Sequence, residues 1–446
     1  MGSAVRPGGR ALVGAHIALV ILCVSAREVR AQTDSPPVRI RARHDVLVRW
    51  APRYRLDTSV DPLGLEQRLW RRVDSLPLYH RAALDARNLV DGHLSLHFSG
   101  WGALDLFADS EGGVAAGDVA IGFVEVDLAP VRLWAGRRFV TFGPPGGLHV
   151  DGGGASARTD FGLVAEAFVG RPVTPARVSL LGPEPAFDDA TVAYGARVAY
   201  ADAGTLSVSA GYAELWGNGI LGSRTVDVAG YWYPGDLRVE AGAKVDVRSP
   251  GVAQARLGAA WRAERHVSVD ADYLHLEPGR WIPPWSILSV FETSTYDELS
   301  AGVTWRPLRA LALRGELAGR LYSRPDVQDE APLGYRAEVT ARVLPLPDPG
   351  VRLRVLISRR DDGVVGYTLL TAGAAFDPWP RWVIALDGAF GIDDDAERDS
   401  VLARATLEVH PADEWKVGVT LSVARTPIVE AETRAMLRAS WSPGVP

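Results

Sequence analysis

Cysteine is all but missing. Cys23 is the only one in 446 residues, and it lies in a segment that reads as a cleaved leader. A mature chain without thiols excludes a disulfide framework, thiol catalysis and cysteine-ligated zinc. Long apolar runs are missing too. After the leader no stretch approaches roughly 18 consecutive apolar residues, so any bilayer crossing falls to strands rather than helices. GxSxG, HExxH and a phosphate-cradling glycine loop are also absent. His93, Ser95 and His97 share a face, but two histidines without a third ligand read as polar wall residues. Asp393, Asp394 and Asp395 read as a solvated acidic loop rather than a calcium site. The chain is therefore not read as an enzyme, and neither a cofactor nor a metal is expected. Net charge is −6 and no face is basic, which argues against nucleic acid as a partner.

What is present begins with a secretory signal. Arg6 and Arg10 precede the apolar run Ala11 to Ala26, and Val29-Arg30-Ala31 supplies compact residues for cleavage after Ala31. Residues 1–31 are expected to be the signal peptide. Residues 32–88 differ from the rest and are expected to form a short periplasmic extension. Val38 to Trp50 reads as one arginine-rich strand. Leu63, Leu65, Leu69, Trp70, Val73 and Leu76 follow at roughly helical spacing behind Asp61, a candidate N-cap. Such an extension could close a pore from the periplasmic side.

Residues 89–446 carry the main pattern. In Leu237 to Val247 the apolar positions Leu237, Val239, Ala241, Ala243, Val245 and Val247 alternate with Arg238, Glu240, Gly242, Lys244 and Asp246. Period two means a strand with one apolar and one charged face. The pattern recurs from His93 to Trp441. Short connections such as Pro234–Asp236 and Pro411–Glu414 alternate with longer polar ones such as Glu277–Glu298 and Ser323–Leu333. The rhythm holds throughout if Leu148 to Ala155 is counted as a strand. The fold class expected is an all-β, antiparallel transmembrane barrel of about 20 strands, with 18 or 16 also compatible. Tyr200, Trp232, Trp261, Tyr273, Trp305, Trp382, Trp415 and Trp441 fall on the apolar face, where rings suit the headgroup level.

A local motif adds to this. Leu133 to Gly154, LWAGRRFVTFGPPGGLHVDGGG, places Gly136-Arg137-Arg138 on one strand and Asp151-Gly152 after a Gly/Pro turn. It resembles a pattern of bacterial outer-membrane porin-like barrels. The resemblance implies that the arginine and aspartate project into a pore. Alternation alone cannot put both Arg137 and Arg138 inside without a bulge.

Arginine or lysine facing lipid near mid-bilayer costs roughly 2–4 kcal/mol, so the charged face is assigned to the lumen. The expected pore-lining residues are Arg137, Arg138, Asp151, Arg197, Arg238, Glu240, Lys244, Asp246, Arg336, Glu338, Arg352, Arg354, Arg404 and Lys416. Cations exceed anions on that face, which suggests passage of small, preferentially anionic solutes. The reading is a porin-like channel of the bacterial outer membrane, with outer-membrane lipid and the barrel assembly machinery as its other partners and no set oligomeric state. The rivals are a non-conducting scaffold or anchor barrel and a secreted, soluble, carbohydrate-binding β-protein.

Overall fold

The computed structural model describes residues 38–60, 66–106, 115–142, 147–173, 191–202, 204–217, 220–248, 250–277, 280, 295–323, 333–343, 351–361, 366–394, 399–426 and 431–443. The expected signal peptide lies outside these. The alternating sequence forms β1 (Arg39–Val60), β2 (Glu66–Ser75), β3 (Pro77–Leu89), β4 (Leu94–Asp105), β5 (Ala115–Leu128), β6 (Val131–Val140), β7 (Leu148–Arg158) and β8 (Leu163–Val173). It continues through β9 (Val192–Ala201), β10 (Leu206–Gly217), β11 (Ile220–Trp232), β12 (Leu237–Asp246), β13 (Gly251–Glu264), β14 (Val267–Leu276), β15 (Thr295–Leu308) and β16 (Leu311–Ser323). It ends with β17 (Leu333–Val343), β18 (Val351–Asp361), β19 (Gly366–Phe376), β20 (Trp382–Asp393), β21 (Ser400–Val409), β22 (Trp415–Arg425) and β23 (Glu432–Trp441).

Each strand from β3 onward pairs antiparallel with the next. The sheet closes because β1 pairs β23 on one edge, His44 opposite Trp441, and β3 on the other, Val48 opposite Leu78. Closure matters because an open edge has no partner for its N–H and C=O groups inside a bilayer. The upper half of β1 pairs β2, and β2 runs on into β3 with only Leu76 between. Counting β2 and β3 as one wall position gives a barrel of 22 strands rather than about 20.

The two added strands come from the segment expected to be a separate extension. Residues 66–75, expected within a helix, are strand β2, and residues 81–88 belong to β3. The helical spacing of a few leucines was overridden by pairing: β1 offers a ladder along its whole length, and short-range periodicity is weak against it. The expected boundary at residue 89 therefore moves to Arg39. The expected strands from His93 onward correspond to β4–β23, including the one from Leu148. Between Glu214 and Arg224, where alternation reads as a longer polar connection, residues 214–217 and 220–224 are strand.

Both ends of the barrel chain, Arg39 and Trp441, lie at the short-turn end. The longer connections, 174–191 and 277–294 among them, leave the opposite end. The outer face is apolar along the middle of the strands: Leu299 is 65% and Leu317 62% exposed, with Leu257, Val339 and Leu421 similar. A soluble protein does not leave so continuous an apolar belt in water. Trp232, Trp261, Trp305, Trp382, Trp415 and Trp441 all sit on this face at the short-turn end.

The outer face changes character at the other end. Glu214 is only 5% exposed. It accepts hydrogen bonds from the Tyr194 and Tyr212 hydroxyls, from Trp216 Nε1 at 2.7 Å and from Arg224 Nε at 2.6 Å. On the same face the Tyr273 hydroxyl donates to Asp297 at 2.7 Å, and Arg359 Nη1 donates to Asp394 at 2.9 Å. From Leu206, level with Trp232, up to Glu214 is roughly 26 Å of strand, or about 20 Å at the usual tilt. That is close to the ~25 Å apolar band of outer-membrane barrels. The hydrocarbon slab thus fits between tryptophans below and saturated carboxylates above.

Candidate functional site

The inner wall is built by the other parity of the same strands. On β12, Arg238, Glu240, Lys244 and Asp246 share the inner face. Arg238 donates to Glu240 at 2.7 Å, and Arg256 of β13 bridges Glu240 at 2.8 Å and Asp272 at 3.1 Å. Lys244 stands opposite Asp227 of β11, and Asp246 accepts the Arg248 N–H at 2.9 Å. A longer network crosses β14 to β17. Arg314 grips Asp270 with two bonds of 2.7 and 2.9 Å and reaches Glu316 at 2.8 Å. Arg336 takes the other Glu316 oxygen at 2.7 Å and approaches Glu298 at 3.6 Å, while Arg320 Nε donates to Glu298 at 2.8 Å.

Other pairs brace the rest of the ring. Arg197 meets Glu166 at 3.6 Å, Arg352 meets Asp377 at 3.0 Å and Arg404 meets Asp387 at 3.1 Å. At the seam between β23 and β1, Arg438 and Ser440 both donate to Asp45. These groups are partly exposed, so each pair adds only about 0–1 kcal/mol. Their main effect is to cancel one another's field. Glu338 accepts from the Thr340 hydroxyl at 3.2 Å. Among the described residues Arg41, Arg49, Arg342, Arg354 and Lys416 on the inner face have no carboxylate partner. The uncancelled remainder is cationic.

The Gly-Arg-Arg motif divides. Gly136 adopts φ +120°, where a Cβ would collide with the Gly122 carbonyl, but the register on both sides stays regular. Arg138 faces inward. It meets Glu125 at 3.3 Å and lies over the Phe123 and Trp134 rings, 5.1 and 5.4 Å from their centroids. Arg137 and Asp151 do not line the lumen. They share the outer face with exposed Leu133 and Phe139, where Arg137 holds Asp151 through bonds of 2.6 and 2.8 Å and Asp118 at 2.9 Å. Strict alternation puts neighbouring arginines on opposite faces, and the glycine conformation does not change that.

Two inner features were not legible. Trp134, Val140, Phe142, Leu148, Val150 and Phe168 form an apolar cluster on the inner side of β6 to β8, with Val150 fully buried. Trp134 fits there because Gly154 opposite has no Cβ to meet its indole. Beside it, a recess of about 760 Å³ is lined by Arg41, Asp85, His97, Phe123, Glu125 and Arg138. His97 stacks on Phe123 at 4.5 Å and meets Asp85 at 3.2 Å. The signal for His97 was its face; its aromatic partner came from a strand paired across the wall.

A closed antiparallel barrel with an apolar outer belt, a tryptophan girdle and a charged interior is the transmembrane β-barrel architecture of outer membranes. The sequence matches no family model and no curated protein. Solved structures do match. The siderophore receptor PirA from Pseudomonas aeruginosa aligns at a TM-score of 0.55 and 12% identity, over 93% of this chain and 81% of that one. The FrpB iron transporter from Neisseria meningitidis aligns at 0.53 and 10%, over 92% and 82%. OccAB2 from Acinetobacter baumannii covers 91% of this chain and 98% of its own at 7% identity, with a TM-score of 0.44. The chain shares the β-barrel fold of these bacterial outer-membrane proteins.

Proposed function

We propose that the chain is a channel of the bacterial outer membrane that passes small solutes and leans toward anions. The observation that carries this reading is the uncancelled charge of the inner wall: among the described residues the acids are largely engaged, while Arg41, Arg49, Arg342, Arg354 and Lys416 are not. A charged, water-filled passage concentrates the opposite ion and so selects it. Lipid contacts the outer belt, and the barrel assembly machinery inserts the chain.

A second reading rests on strand number. Porins of 16–18 strands leave an aqueous channel, whereas 22-stranded outer-membrane transporters hold a plug. The count of 22, together with the likeness to a siderophore receptor and an iron transporter, favours a transporter-type barrel that admits a ferric chelate. Conductance in a planar bilayer separates the two. The channel reading expects discrete, lasting current steps as the purified protein inserts. A folded barrel that inserts and carries no current would overturn it in favour of the second.

A further inference from the structure

We propose that Arg342 and Arg354 form a binding site for a small oxyanion, of which inorganic phosphate is the simplest example, on the inner wall near the short-turn end. The proposal deepens the channel reading by naming what its wall would hold.

The two arginines are directly opposed in the register of β17 and β18. Both face the lumen and both are exposed. Like charges directly opposite on a sheet are destabilising, so such a pair needs something to offset it. Elsewhere in the same sheet the offset is visible. Glu316 and Glu338 are also opposed, and Arg314 and Arg336 hold Glu316 at 2.8 and 2.7 Å. Arg336 is opposed to Arg360, and Glu316 and Glu298 flank it.

Arg342 and Arg354 have no such neighbour among the described residues. The acids nearest in register are committed: Asp377 to Arg352 at 3.0 Å and Asp387 to Arg404 at 3.1 Å. The flanking positions are small. Ala312 lies beside Arg342 on β16, and Gly373 lies beside Arg354 on β19. The row Ala312, Arg342, Arg354, Gly373 thus presents two guanidinium forks with room on the β16 side, while on the β19 side the Asp387 carboxylate, held by Arg404, leans over Gly373. Paired forks match the oxygens of phosphate or carboxylate through parallel N–H donors, which a lysine cannot imitate. A bound oxyanion would supply the charge that no described carboxylate gives to these two arginines.

The test is phosphate titration of the detergent-folded protein by calorimetry, paired with phosphate block of chloride current in a bilayer. Wild type is expected to bind phosphate, and Arg342→Ser with Arg354→Ser is expected to weaken it roughly tenfold or more. Arg342→Lys with Arg354→Lys keeps the charge and the fold but loses the forks, and is expected to fall between them. Arg81→Ser removes an inner arginine on β3, opposite Asp45 and away from this row, and should bind as wild type does. Succinate in place of phosphate distinguishes a carboxylate ligand, with the same dependence on the pair expected. Equal affinity in wild type and the double serine variant, an equal loss in Arg81→Ser, or no binding to wild type would each overturn the site. Calorimetry needs no current, so a silent barrel would defeat the channel reading without deciding this one.

Discussion

Side-chain parity decides what each residue does here. Leu317 and Ser358 both lie in the middle of their strands, on opposite faces of the wall. Leu317→Arg sets a guanidinium against hydrocarbon and is expected to cost roughly 2–4 kcal/mol. Ser358→Arg sets the same group in the lumen opposite Glu338 and should stay within about 0.5 kcal/mol. Folding each into lipid vesicles against urea checks this; equal penalties would mean that the faces are exchanged. Parity also explains where sequence reasoning failed at this scale. Arg137 and Arg138 look alike in a string of letters. Only the pairing with Asp151 and with Glu125 separates an outer-face pair from an inner wall residue. Asp151 was misplaced for the same reason. The cross-strand partners of Arg336, Arg352 and Arg404 depend on register, which alternation does not reveal.

Elements are joined by turns that have their own chemistry. Asp202, between β9 and β10, accepts the Thr205 hydroxyl and the N–H groups of Leu206, Thr205 and Gly204. Those bonds, the Thr205 hydroxyl first, pull its carboxyl down to about 2. A depressed carboxylate stabilises the turn fully above its ordinary range and loses that effect as pH falls through the lowered value. Amide exchange at Thr205 and Leu206, corrected for its intrinsic pH dependence, should therefore rise between about pH 4 and 2. Asp202→Asn should remove the change. A flat wild-type profile would contradict the assignment.

The strands themselves were legible wherever one face met lipid and the other met charge, from His93 to Trp441. Within residues 39–89 the strand from Val38 to Trp50 was legible, but its place in the wall was not, and the rest was hidden because a few leucines fell at helical spacing. Their role follows from closure instead: β23 and β4 each need a partner, and β1 and β3 are those partners. Deleting residues 39–89 is accordingly expected to abolish the heat-modifiable, folded band on gels. An inserted barrel that lacks them would show β1 and β3 to be dispensable to the wall.

For the whole molecule, the apolar belt, the girdle and the inner ion pairs place lipid outside and water inside, and among the described residues the charge left over inside is positive. The apolar inner cluster around Val150 and the aromatic recess at His97 narrow this picture locally, since part of the wall is neither charged nor free to the lumen. Neither could be read from composition, because each gathers residues from several strands. The anionic preference is decided by the reversal potential of the wild-type protein inserted in a planar bilayer under a potassium chloride gradient. The account predicts a displacement toward the chloride equilibrium potential, shrinking as salt screens the wall. A displacement toward the potassium potential, or none at low salt, would contradict it.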